Sequence, residues 1–158
     1  KKNKSQSKSL IDLFEQEKNF DLFNPATFKS FDCRIKDLGK IISEYIDRKI
    51  KNDELVIGLG ASTKGNVLLQ LFGLNNKLIP YISEISVEKI GKRTLGSDIE
   101  LISDQKAMEL KPKTKLVLPW YFKDEIVKRE KQYLALGGEL LFPMPYAHLV
   151  KKDGEIAL

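Results

Sequence analysis

Cysteine, histidine and tryptophan each occur once in these 158 residues, as Cys33, His148 and Trp120. A lone cysteine excludes an internal disulfide framework, so a reducing, cytoplasmic setting is expected. One Cys and one His cannot furnish the usual structural zinc site, so no metal is expected in this chain. His148 stands near the tail with no Ser, Cys or paired acid arranged around it, and reads as a hydrogen-bonded or surface side chain rather than a catalytic base. No apolar run approaches the length of a membrane span and no leader peptide is evident, so a membrane is not an expected partner. The chain also lacks a basic stripe interleaved with aromatics. Its net charge of +5 is partly terminal, from Lys1, Lys2, Lys4 and Lys8 in a polar segment expected to fray. Nucleic acid is therefore not expected either, whereas an anionic small molecule suits the balance. The first residue is not Met, which raises the expectation of a piece of a longer polypeptide.

What is present is an ordinary globular composition, 42% apolar and 31% charged, in a chain long enough for one core. Two helices lead. The first starts around Ser9-Leu10-Ile11 and fades into a polar turn near Asn19. The second opens on Asn24-Pro25, an N-cap followed by a proline suited to the first helical position. Phe28, Phe31, Ile35, Leu38, Ile42, Tyr45 and Lys49 then alternate spacings of three and four, which predicts one long helix from Pro25 to Lys51. From Glu54 the pattern turns to strands at Leu55–Leu59, Leu78–Ile82, Lys115–Leu118 and Glu139–Phe142. Helices are predicted between them at Lys64–Phe72, Asp104–Leu110 and Lys123–Leu136. Asp153-Gly154, between short apolar runs, predicts a terminal hairpin. The fold class is α/β: a Rossmann-like, open, mostly parallel sheet flanked by helices. The organisation expected is a helical lead over 1–52 packed on a Rossmann-like body over 53–158.

The segment with most to say about function is Gly58-Leu59-Gly60-Ala61-Ser62-Thr63-Lys64-Gly65-Asn66. It joins a strand to a helix. Glycines let backbone approach closely, and a helix N-terminus offers unpaired amides and a partial positive charge. Lys64 adds a full charge. The spacing is not that of a Walker A loop, and it fits the dinucleotide fingerprint only in part, because the third glycine is displaced. Glu84, at the end of the second strand, stands where an acid can take a ribose hydroxyl. Lys89, Lys92 and Arg93 lie in a polar loop leaving that strand, suited to pairing with phosphates or to plain solvation. Trp120 and Tyr121 end the third strand and can stack on a base or sugar ring; Phe122 reads as core. Three readings stay open on these residues alone: an anion cradle, a dinucleotide-dependent oxidoreductase, and a turn whose glycines only permit tight packing.

Taken together and in order, these motifs resemble the C-terminal domain of bacterial S-adenosylmethionine-dependent sugar C-methyltransferases. The Gly58–Asn66 turn is similar to that family's Gly-Tyr-Gly-Ala-Pro-Ala-Lys-Gly-Asn. Lys89-Ile90-Gly91-Lys92-Arg93-Thr94-Leu95-Gly96 resembles its Lys-x-Gly-Arg-x-x-Pro-Gly. Leu116 to Ile126 resembles its Leu-x-Leu-x-Trp-Asn-Phe-x-x-Glu-Ile, and Gly137 to Pro145 its Gly-Gly-Lys-x-x-x-Pro-x-Pro. The resemblance implies a zinc-binding region and a central methyltransferase domain upstream in the same polypeptide, which hold the zinc, the S-adenosylmethionine and the catalytic base. This chain is then the substrate-side domain, without cofactor or catalytic residues of its own, helping to hold a nucleotide-linked sugar. The implied contacts are Gly58, Gly60, Ala61, Ser62, Thr63, Lys64, Gly65, Asn66, Glu84, Lys89, Arg93, Trp120 and Tyr121. Departures occur at Glu84-Ile85-Ser86-Val87, where the family has Asp-Arg-x-Pro, over Leu95–Glu100, and at Tyr121, where it has Asn. A free-standing anion-binding domain and an oxidoreductase domain are the alternatives.

Overall fold

The structure, a computed structural model, describes residues 7–158. Lys1, Lys2 and Lys4 of the segment expected to fray lie outside them. Lys8, expected to fray with them, opens helix α1, Lys8–Asn19. Helix α2 runs Pro25–Lys51, and the Asn24 side chain caps it by accepting from the Ala26 amide at 2.9 Å. The chain divides into two compact units, one ending at Asp37 and the other running Leu38–Leu158, so α2 belongs to both.

Among the described residues of the first unit none is buried. In the second, seven strands form one sheet: β1 Val56–Leu59, β2 Tyr81–Glu84, β3 Glu100–Ser103, β4 Thr114–Val117, β5 Glu139–Phe142, β6 His148–Lys151 and β7 Gly154–Ala157. Their order is β3-β2-β1-β4-β5-β6-β7. The first five are parallel, and β6 and β7 are added antiparallel as the hairpin read from Asp153-Gly154. The α/β class and mostly parallel sheet follow from the apolar runs. Strand β3 is an addition: Glu100-Leu101-Ile102-Ser103 has only two apolar residues, set between polar ends.

Alternation along the strands sends side chains to two faces. Val56, Ile82, Leu101, Leu116, Leu141 and Leu149 meet α2 from Leu38 onward and Leu69 of α3, Thr63–Leu71. Ile57 and Ile102 meet Ala107 of α4, Asp104–Glu109. Leu59, Val117, Leu140 and Phe142 meet α5, Lys123–Arg129, and α6, Lys131–Ala135. The single helix expected over 123–136 is thus broken at Glu130. Its carboxylate is drawn to the buried Lys115 ammonium of β4 at 2.7 Å, a partner that local sequence does not show. A one-turn 3₁₀ helix at Trp120–Phe122 precedes α5. Phe122, read as core, is half exposed.

The last member of the α2 seam, Lys49, sends its ammonium to Glu54 and Glu139, each at 2.9 Å. Glu139 also accepts from Tyr45 at 2.6 Å and pairs with Lys151 at 3.0 Å. Burial works to raise the Glu139 carboxyl, but these donors outweigh it and bring its pKa down to about 2.

Candidate functional site

Strand β1 ends in the glycine turn, and each glycine has a reason in the protein's own packing. Gly60 has φ +75°, a conformation that L side chains rarely adopt. A Cβ on Gly65 would lie 2.5 Å from Leu118 Cβ, so glycine lets α3 sit against the chain leaving β4. Ser62 caps α3 by accepting from the Gly65 amide at 3.0 Å, and its hydroxyl donates to the Leu118 carbonyl.

Several turn amides are already taken. Gly60 N–H donates to the Ser83 carbonyl at 2.8 Å and Asn66 N–H to the Ser62 carbonyl at 2.9 Å. Ala61 N–H donates to Glu84 Oε2 at 2.9 Å. The other Glu84 oxygen accepts from the amides of Ile85 and Ser86. Lys89 Nζ bridges Glu84 at 3.5 Å and the Ala61 carbonyl at 3.0 Å. Burial works to raise the Glu84 carboxyl, but the Ser86 and Ala61 amides, Lys89 and the Ile85 amide together hold it below the ordinary carboxylate range. With four donors on its two oxygens, Glu84 latches the turn to the loop after β2. It has no lone pair left for a ribose diol. Among the described residues, nothing accepts from the Thr63 and Lys64 amides at the first turn of α3.

Between this turn and the loop after β2 lies a cavity of about 290 Å³. Ala61, Ser62, Thr63 and Asn66 form one wall; Lys89, Lys92, Arg93 and Thr94 form the other; Leu69, Ile82, Leu101 and Leu118 form the floor. Asn66 Oδ1 is buried without a hydrogen-bond partner among the described residues. Arg93 is held by Asp98, Nε to Oδ1 at 2.5 Å. Among the described residues no side chain pairs with the Lys92 ammonium, which leaves it as the wall's uncommitted charge. The cationic wall is tied to edge strand β3: Gly91 N–H donates to the Leu101 carbonyl at 2.8 Å and Leu101 N–H to the Lys92 carbonyl at 2.9 Å.

Of the residues named from sequence, the structure brings Ala61, Ser62, Thr63, Asn66, Lys89 and Arg93 to this cavity, with Gly58, Gly60 and Gly65 shaping the turn beneath it and Glu84 latching it. Lys64, Trp120 and Tyr121 lie elsewhere. The exposed Lys64 ammonium stands 4.6 Å from the Tyr121 ring centroid, and Trp120 packs on the cluster under α5 and α6. Lys92 joins them although it is not among the implied contacts; its place in Lys89-Ile90-Gly91-Lys92-Arg93 is the sequence signal for it. His148 is buried in β6, stacked on Phe142, with Nδ1 on the Tyr146 carbonyl and Nε2 unpartnered. Among the described residues no group of three or more His, Cys, Asp or Glu side chains could hold a metal, and no helix is long and apolar enough to cross a membrane.

The family of C-methyltransferase C-terminal domains matches residues 1–145. A curated relative, C-methyltransferase NovU of Streptomyces niveus, is 28% identical over 148 residues, covering 94% of this chain and 35% of that protein. The chain therefore spans about a third of the length of the relative it matches.

Proposed function

We propose, from the premise that this chain belongs to the C-methyltransferase C-terminal domain family, that it is the substrate-side domain of an S-adenosylmethionine-dependent enzyme methylating a carbon of a nucleotide-linked sugar. The methyl donor, the base that deprotonates the carbon beside the sugar carbonyl, and a structural zinc belong in this reading to the upstream part of the polypeptide. S-adenosylmethionine supplies the methyl group there. The residues of this chain bind and orient. The observation that carries the reading is the cavity at the carboxyl edge, lined by Lys92, whose ammonium is uncommitted, and by Thr63, whose amide meets no acceptor among the described residues.

Cations and helix amides suit a phosphate oxygen. A cavity of about 290 Å³ takes one portion of a nucleotide sugar, and the remainder extends beyond this wall. The saturated Glu84 carboxylate speaks against the oxidoreductase alternative, whose ribose acceptor it would have been.

The test is calorimetric titration of the full-length polypeptide with a nucleoside-diphosphate sugar. Lys92→Ala should weaken binding about tenfold, the value of one charge-assisted contact, without moving the melting temperature. Lys64→Ala, whose ammonium already lies over Tyr121, should change affinity less. Equal affinity for wild type and Lys92→Ala removes the cavity from the reading.

A further inference from the structure

We propose that the apolar faces of α1 and of the first half of α2 form the seat for the methyltransferase portion preceding this domain in the same polypeptide. This inference rests on the functional reading above.

Helix α1 has 12 residues, no side-chain N-cap bond and no buried residue. An isolated helix of that length is marginal in water, so its stability has to come from packing an apolar face. Such a face exists: Leu10, Leu13 and Phe14 share one side by their spacing, and all are exposed. In α2, Phe28 is 57% and Phe31 52% exposed. They continue, at spacings of three and four, the same seam that is buried from Leu38 onward. That spacing is the one by which a helix meets another helix. Phe20 and Phe23, in the turn between the two helices, are 71% and 89% exposed. Five phenylalanines, Phe14, Phe20, Phe23, Phe28 and Phe31, left open with Leu10 and Leu13 mark a surface made to be covered.

The choice of occupant follows from the family. The matched family is one of C-terminal domains and the chain spans 35% of its relative's length, so in this reading the larger part of the polypeptide precedes α1. A covalently attached neighbour is present at an effective concentration that a second copy does not match.

Hydrogen exchange read by mass spectrometry on the full-length polypeptide tests this, at two protein concentrations. Amides of residues 8–37 should exchange about 100-fold slower than in an unstructured peptide, equally at both concentrations. The Phe28→Asp, Phe31→Asp double variant should speed exchange there and in the upstream portion, leaving residues 56–157 unchanged. The pair Phe28→Leu, Phe31→Leu should keep the protection, which separates lost docking from lost folding. Random-coil exchange of residues 8–37 in the wild type overturns the proposal. So does protection that rises with concentration together with a dimer mass, which gives the face to a second copy. S-adenosylmethionine binding, measured on the same preparation, separates the two readings. Binding without protection sinks the docking alone; protection without binding supports docking on the preceding chain and sinks the methyltransferase reading.

Discussion

Helix α2 carries one spacing of apolar residues along its whole length, yet its two halves differ. Ile42 and Ile46 are fully buried, while Phe28 and Phe31 stand more than half exposed. Sequence periodicity reports which face of a helix is apolar; it does not report what covers that face. In the second half the cover is a seven-stranded sheet. In the first half nothing among the described residues buries a side chain. Periodicity of equal quality therefore supports two different energetic roles.

The largest effect that sharpens this contrast comes from truncating the same seam on either side of the division. Ile42→Ala should cost about 2–5 kcal/mol in denaturant unfolding of this chain. Phe28→Ala should stay within about 0.5 kcal/mol. A large loss from Phe28→Ala would break the comparison. Next in size is Tyr45→Phe, which removes the 2.6 Å donor to Glu139 and should cost about 1.5–3 kcal/mol in the same assay. Ellipticity from the first unit should not respond. The smallest and most gradual effect is acid. Glu139 has a folded pKa of about 2 against an ordinary 4.5, so its contribution is complete above pH 4.5 and is lost as pH falls toward 2. Melting followed over that window should show the second unit weakening progressively. A flat profile would mean that Lys49, Lys151 and Tyr45 do not favour the charged form.

Much of the architecture was legible because burial on both faces leaves near-continuous apolar runs. Glu139–Phe142 reads as a strand to the residue, and Asn24-Pro25 sets the start of α2. Strand β3 was not legible: it pairs only with β2 among the strands, and Arg93 meets Glu100 from a loop. Glu130, where the expected helix divides, pairs with a lysine fifteen residues earlier, which no local propensity encodes. At the site, the strand-turn-helix setting of Gly58–Asn66 was readable, and so were the nearby cations. Which amides stay free was not. That depends on Glu84 folding back onto Ala61, and on Lys64 turning to Tyr121 instead of toward the cavity.

The loop that carries Lys89 and Lys92 is stitched to β3 by backbone bonds through Gly91, Lys92 and Leu101. Its main chain is thus fixed before any ligand arrives, with the stiffness of a sheet margin in place of a swinging flap. Little main-chain entropy is then charged to association at this wall, and the ordering left to an incoming anion is that of the Lys92 side chain.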